Sequence, residues 1–420
     1  MSKKSEKMSF NATWSMAVGG MVGGGIFSVL GVIIETAGKW AWLSFVIAGL
    51  IALISAHSYS QLSLKYQKGG GAFIFLRELN YKGLAGSLAW VLILGYILTI
   101  SVYAFTFGHY VAHVFNMGAW FPRALAFAII ALLTLVNLRG VGDASKVEIV
   151  TVWGKLFVLL GLSLIGITHW APEQLSAGIQ PRGWHTAIIG AATIFMAYEG
   201  FQLLSYDFND IKNPKKNLPL ATLTAVSAVI VIYILVTLGA TMLVGAHTII
   251  EQKEVALSIA GKQAFGLTGL ILVTIAAAFS TGSAINATLF STGRLMEIVA
   301  EKKDLPAALT KENKAHMPYY SLLIIASFAA VLSVIGSLGS LVDAASLIFL
   351  ITFGSVNLMA WHQKVKFRIL CFIGFLGCAT AILLSSYQQV SDKPWQLGLI
   401  LAFILTAIFA RKWIHQQINK

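Results

Sequence analysis

The sequence predicts an all-α polytopic membrane protein with twelve transmembrane helices, and three observations carry that prediction. Apolar residues make up 57% of the 420-residue chain and charged residues only 11%, where soluble domains carry roughly 25% charge. Mean hydropathy is +0.78. The few charges collect between apolar stretches long enough to cross a bilayer, which takes about 20 residues each. Such stretches fall at roughly 11–34, 40–64, 84–114, 121–138, 147–168, 186–207, 218–245, 265–298, 318–336, 340–361, 367–387 and 395–413.

Charge supports this count. Twelve spans place both termini on one side. That side carries 23 Lys and Arg; the opposite side carries 6, namely Lys39, Arg123, Arg182, Lys253, Lys262 and Lys393. With Lys155 left inside a span, these account for all 30 in the chain. Cytoplasmic loops are the ones enriched in Lys and Arg, so both termini are expected in the cytoplasm and the protein in the cytoplasmic (inner) membrane. One missed span would scramble the asymmetry. The net charge of +13 therefore reads as membrane topology, with the lipid bilayer as partner and no nucleic acid.

The connecting segments are short. Loops at 246–263 and 299–317 are too short to fold alone. Lys302, Lys303, Asp304, Lys311, Glu312 and Lys314 make the second a solvated cytoplasmic loop. Ile249 to Leu257 is expected to form a short amphipathic helix outside, in the manner of a lid. Met1 to Lys7 is basic and runs into a full span, so no cleavable signal peptide is expected. Cys371 and Cys378 lie two turns apart on one apolar stretch and read as packing residues, with neither a disulfide framework nor a metal motif. No cofactor is expected.

Span 1 contains Gly19-Gly20-Met21-Val22-Gly23-Gly24-Gly25. In lipid every backbone N–H and C=O needs an internal partner, so five glycines at mid-depth are unusual. Gly19 and Gly23 have the spacing of close helix–helix packing. The alternative is a helix that breaks around a ligand. Span 6 carries Tyr198-Glu199-Gly200, a carboxylate and a glycine halfway along an apolar stretch. Intramembrane carboxylates are expensive and seldom face lipid. If the first ten spans form two five-helix repeats, spans 1 and 6 are equivalent and run in opposite directions. Paired glycine interruptions at matching positions point to a transport site at the interface of inverted repeats.

These residues resemble the amino acid–polyamine–organocation (APC) superfamily. Gly19 through Ile26-Phe27 resembles the G-x-x-x-G-[STA]-G-[IV]-F signature of its first helix. Ala37-Gly38, Ser44-Phe45 and Tyr59-Ser60-Gln61-Leu62 resemble its second helix, and Lys68-Gly69-Gly70-Gly71-Ala72-Phe73 its glycine loop. Asp210 through Pro219 is similar to its E-x-x-x-N-P-[KR]-[KR]-x-x-P segment. Ser291-Thr292-Gly293-Arg294, Leu305-Pro306 and Pro318 resemble its loop between helices 8 and 9. The match runs in order from residue 11 to 320. Gly24 departs from the frequent Ser, Thr or Ala, Gln61 from a frequent Glu, and Lys68 from a frequent Pro or Ser.

The resemblance implies a leucine-transporter-like 5+5 inverted-repeat core with broken helices 1 and 6, plus two peripheral helices. The first repeat would cover 11–168, the second 186–361 and the peripheral pair 367–413, with tails at 1–10 and 414–420. It implies an amino acid permease working by alternating access on an amino acid or related amine. Met21, Val22, Gly23, Gly24, Gly25 and Ile26 of span 1 are the candidate substrate-binding residues, with Phe195, Ala197, Tyr198, Glu199 and Gly200 of span 6. Free N–H groups at Gly23 to Ile26 would suit a carboxylate, and unwound carbonyls of both spans an ammonium. Glu199 is read either as a partner for a cationic group of the ligand or as a proton carrier. By resemblance, Lys155 lies where sodium-coupled relatives hold an ion, so its ammonium would favour protons or exchange over sodium. Ser280, Thr281 and Ser283 of span 8 could serve sodium, or could simply pack and bond to their own backbone.

Phe195 and Tyr198 are candidate gates and Tyr103 a weaker pocket candidate. Asp207 and Asp210 are expected to meet cytoplasmic Arg or Lys as an inner latch. Competing classes fare worse. No ring of filter residues suggests a channel. A nutrient sensor is expected to carry a long regulatory tail. No nucleophile, metal or phosphate-loop motif suggests an enzyme, since Gly69-Gly70-Gly71 lacks the following Lys-Ser or Lys-Thr. The leading expectation is a proton-coupled, sodium-independent amino acid transporter; the alternatives are an amino acid or polyamine exchanger and a sodium-coupled symporter.

Overall fold

The computed structural model describes residues 7–115, 117–140, 144–392 and 394–418. Lys3, Lys4, Lys393 and Lys420, counted above for topology, lie outside them, as do the outer parts of both tails. The helices are α1 (Phe10–Ala37), α2 (Ala41–Tyr66), α3 (Gly71–Glu78), α4 (Lys82–Phe115), α5 (Phe121–Leu138), α6 (Ala144–Thr168), α7 (Thr186–Thr193), α8 (Pro214–Glu251), α9 (Ala256–Glu301), α10 (Tyr319–Ile335), α11 (Leu338–His362), α12 (Arg368–Asp392) and α13 (Pro394–Ile418). Among the described residues, eight segments are long and apolar enough to cross a membrane; the first, Phe10–Tyr66, is long enough to cross twice. Shorter apolar helices add Tyr319–Ile335 and Ile400–Arg411. With the interrupted sixth span, all twelve expected spans correspond to helical segments.

Local chemistry sets the ends of these helices. Ser9 caps α1, its hydroxyl accepting from the Ala12 amide at 3.3 Å. Gly38, at φ 56°, lets the chain turn into α2. Asn213 and Pro214 open α8, with proline in the first turn where its missing N–H costs nothing. Two long helices bend. α8 kinks at Gly245 and α9 at Phe265–Gly266, which returns both spans to the expected ends at 245 and 265. The outer helix expected at Ile249 to Leu257 is displaced by this geometry. Residues 246–251 close α8, residues 252–255 turn, and a new helix starts at Ala256.

The burial pattern separates an inner group from an outer one. The most apolar window of the Phe10–Tyr66 segment is fully buried, whereas those of α5 and α12 are only 22% and 28% buried. Phe127, Leu132, Leu135, Phe157, Phe328 and Leu383 project outward as a lipid-facing surface. α1 packs against α8, α9 and α6, while α4 packs against α9, α5 and α11. Cys371 and Cys378 are buried free thiols, as expected of packing residues.

One detail of the expected core differs. α1 runs as a continuous helix through all five glycines, with no break. Glycines permit close approach without requiring a break, and in a dry interior continuous helical bonding is the cheapest way to satisfy their amides. Span 6 does break. α7 stops at Thr193, short 3₁₀ turns cover Phe195–Tyr198 and Phe201–Ser205, Glu199 is extended and Gly200 sits at φ +134°. Only glycine takes that backbone conformation cheaply.

Candidate functional site

The interruption of span 6 lies directly on the α1 glycines. A Cβ on Gly20 would fall 2.8 Å from Gly200 Cα, and a Cβ on Gly200 would fall 2.5 Å from the Gly20 carbonyl carbon. The other glycines of the run face different neighbours. Gly23 abuts Ala284 of α9, Gly24 the Tyr103 ring of α4, and Gly25 the Tyr233 hydroxyl of α8 together with the Ala197 carbonyl. Four elements thus converge on one stretch of backbone, each reaching it because a side chain is missing there.

Although α1 is helical, three carbonyls of its glycine-rich stretch accept a second group. Lys155 Nζ donates to Gly19 O at 3.2 Å. Tyr233 Oη lies 2.7 Å from Met21 O, and Ser280 Oγ donates to Val22 O at 3.0 Å. Tyr233 Oη also lies 2.8 Å from Ala197 O in the span 6 break. A phenol carries one proton, so it can serve only one of those two carbonyls at a time. The pair therefore retains capacity for another donor.

The freed backbone of span 6 finds side-chain partners. Gly200 N donates to Gln202 Oε1 at 2.8 Å, and Met196 N to Ser346 Oγ at 3.0 Å. Ser346 Oγ in turn donates to Thr193 O at 2.5 Å. Glu199 is 1% exposed and accepts from Gln202 Nε2 at 2.8 Å. That amide also reaches Tyr96 Oη at 3.3 Å, which pairs with Tyr206 Oη at 2.8 Å. The Tyr103 hydroxyl is turned toward Glu199 without a hydrogen bond of good geometry.

The expected residues are partly assembled by this arrangement. Met21, Val22, Gly23, Gly24, Gly25, Ala197, Glu199 and Gly200 meet around the contact of α1 with span 6, and Ile26 is fully buried on the next turn. Phe195 and Tyr198 are instead anchors of the break. The Phe195 ring lies edge-on to Phe353 of α11 at 5.5 Å, and Tyr198 Oη donates to Phe45 O of α2 at 2.7 Å. The amides of Gly23 to Ile26 stay within the α1 helix and are not freed in this conformation. Of the span 8 hydroxyls, Ser280 reaches α1, while Thr281 bonds to its own helix at Ala277 O, 2.7 Å away.

Sequence reasoning missed Tyr233, Ser346, Gln202 and Tyr96. Each is a polar residue within an apolar run, and buried polar groups in such a run need a partner; that signal was present without saying which partner. Among the described residues, the ion pairs expected of Asp207 and Asp210 do not form. Asp304 instead binds Arg77 of α3 and Arg411 of α13, each at 2.9 Å, and is nearly fully buried. On the other side Lys253 pairs with Glu35 at 2.9 Å, and its stem lies over Gly31 of α1.

Comparison with known proteins agrees with this architecture. The sequence profile described as amino acid permease matches residues 8–409. The inner membrane transport protein YbaT of Escherichia coli is 27% identical, covering 95% of each chain. The serine/threonine exchanger SteT of Bacillus subtilis is 26% identical over 79% of this chain and 76% of its own. Among solved structures, a manganese transporter of Eremococcus coleocola, crystallised with an aromatic bis-isothiourea substituted compound, superposes with a TM-score of 0.65. It shares 14% identity and covers 98% of this chain and 94% of its own, a likeness of fold.

Proposed function

Because this chain belongs to the amino acid permease family, we propose that it moves a small amino acid across the cytoplasmic membrane by alternating access, driven by protons and independent of sodium. The observation that carries this reading is the contact of the span 6 interruption at Glu199–Gly200 with the α1 glycines, beside an α1 carbonyl held by the buried Lys155. An amino acid brings an ammonium and a carboxylate. The ammonium fits the Met21 and Ala197 carbonyls, which share one Tyr233 proton. Receiving the carboxylate requires the amides of Gly23 to Ile26, so binding would unwind α1 there, and glycine lowers the cost of that step.

Lys155 supports the choice of coupling ion. The residue is 2% exposed, and its ammonium holds an α1 carbonyl as a bound cation would. Glu199 is the candidate proton carrier. SteT exchanges serine and threonine, which favours a small substrate and keeps exchange as the second reading. The two inverted halves, 11–168 and 186–361, would rock around this site. The excess of Lys and Arg on the side of the termini supports placing both in the cytoplasm.

The test is uptake into liposomes containing the purified protein. Alanine or serine should accumulate faster under an inward proton gradient, in sodium-free buffer. Strict dependence on sodium would refute the role given to Lys155. Accelerated uptake by trapped internal amino acid, with no response to a proton gradient, would establish exchange.

A further inference from the structure

We propose that Tyr103 sets the upper limit on the size of the substrate side chain and confines the site to small neutral amino acids. The inference rests on the transport reading above and goes beyond it in naming the wall that limits size. Gly24 has no side chain, and by itself would enlarge the site. The structure returns that space to Tyr103. A Cβ on Gly24 would fall 1.8 Å from Tyr103 Cδ1 and 2.2 Å from Cε1, so the ring edge lies directly on the α1 backbone.

The other walls around the glycines cannot play this part. Gly20 meets the Gly200 backbone and Gly23 meets an alanine, so neither has bulk to remove. Gly25 meets Tyr233, whose hydroxyl is held between two carbonyls. Tyr103 is different. It is fully buried, its hydroxyl faces Glu199 without a hydrogen bond of good geometry, and its ring is a bulky side chain lying directly on the glycine run. The position also follows from α4. Tyr96, Tyr103 and Tyr110 recur every seven residues and so share one face. Tyr110 meets α1 at Phe27 O, 3.3 Å away, and Tyr96 meets Gln202 of span 6. Tyr103, between them, stands at the level where α1 and the span 6 break touch.

A ligand held by its amino and carboxyl groups on α1 and span 6 must direct its side chain past this ring. With the ring edge on the Gly24 backbone, a hydrogen or a side chain of one or two heavy atoms demands the least displacement of it. The Tyr103 hydroxyl supplies a donor for a short hydroxyl, and a branched or aromatic side chain would collide.

The experiment is thermal stabilisation of the full-length purified protein by glycine, alanine, serine, leucine and phenylalanine, since a ligand that binds the folded state raises its melting temperature. The wild-type chain should be stabilised by the small ligands and not by leucine or phenylalanine. Tyr103→Ala should admit leucine or phenylalanine with a gain in affinity on the order of tenfold or more, the scale of one methylene's worth of fit in an apolar pocket. Tyr103→Leu serves as a second opening variant should the alanine variant fail to fold. Tyr103→Phe keeps the ring and should retain the wild-type size ranking. Small-ligand binding by the wild type with an unchanged ranking in both opening variants would overturn the assignment of Tyr103 alone. Stabilisation of the wild type by leucine and phenylalanine as readily as by alanine would also overturn it. Stabilisation by none of the five would overturn the amino acid reading on which it stands.

Discussion

The contact between Gly20 and Gly200 permits a quantitative test of how α1 and span 6 are held together. Alanine at either position places a methyl group against backbone that cannot rotate away. In Gly200→Ala the new carbon would lie 2.5 Å from Gly20 C and 2.6 Å from Met21 N; in Gly20→Ala it would lie 2.8 Å from Gly200 Cα. Overpacking of this kind costs about 1–3 kcal/mol in either variant. The two then diverge. Gly20 is within a helix, where alanine recovers about 1 kcal/mol of helix propensity. Gly200 sits at φ +134°, and a side chain in such a region adds about 1–3 kcal/mol of strain. The net expectations are about 0–2 kcal/mol for Gly20→Ala and about 2–6 kcal/mol for Gly200→Ala. Thermal unfolding of the purified variants in one detergent, followed by loss of the monodisperse elution peak, gives the ranking. Gly200→Ala should melt clearly below Gly20→Ala. Equal melting temperatures, or a Gly200→Ala protein as stable as wild type, would refute the argument that backbone contact and strain hold this junction.

The remaining predictions concern charge and ligand. Lys155→Met removes a buried ammonium whose desolvation costs several kcal/mol, against charged interactions, the hydrogen bond to Gly19 O among them, of about 1.5–3 kcal/mol each. It should leave thermal stability unchanged or higher while abolishing concentrative uptake, and preserved accumulation would remove Lys155 from the coupling step. Asp304→Asn leaves the guanidiniums of Arg77 and Arg411 facing a neutral amide, and loss of one partner of a buried pair costs about 3–5 kcal/mol. Its melting temperature should fall well below that of Lys68→Ala, which breaks only the exposed pair with Glu78; equal effects would show that burial does not strengthen the Asp304 cluster. Gly25→Leu drives a side chain into Tyr233 and the Ala197 carbonyl. It should abolish stabilisation by amino acids in protein that remains monodisperse, and normal ligand stabilisation would return this glycine to a packing role.

The span pattern was legible because the bilayer reduces fold to length and hydropathy. Twelve apolar stretches of about 20 residues had to be helices, since a continuous apolar run of that length satisfies its own backbone in lipid only as a helix. Span 6 was legible as interrupted because Glu199 and Gly200 are each costly at mid-depth. The glycine run of span 1 was legible as special but ambiguous. Glycine licenses both a break and close packing, and the sequence carries no term that chooses between them. The structure chose packing for α1, placing Gly200, Ala284, Tyr103 and Tyr233 where side chains would otherwise stand.

By itself, then, the sequence determined the number and order of the spans, the carboxylate and lysine within them, and the two spans that would meet. Only the tertiary structure decided which hydroxyl serves which carbonyl, that Asp304 and not Asp207 or Asp210 closes the buried ion-pair cluster, and that the Tyr103 ring takes back the space opened by Gly24. Hydropathy is a property of each segment and can be read along the chain. Hydrogen-bond partners and filled volume belong to residues as far apart as 21 and 233, and they exist only once the helices have packed.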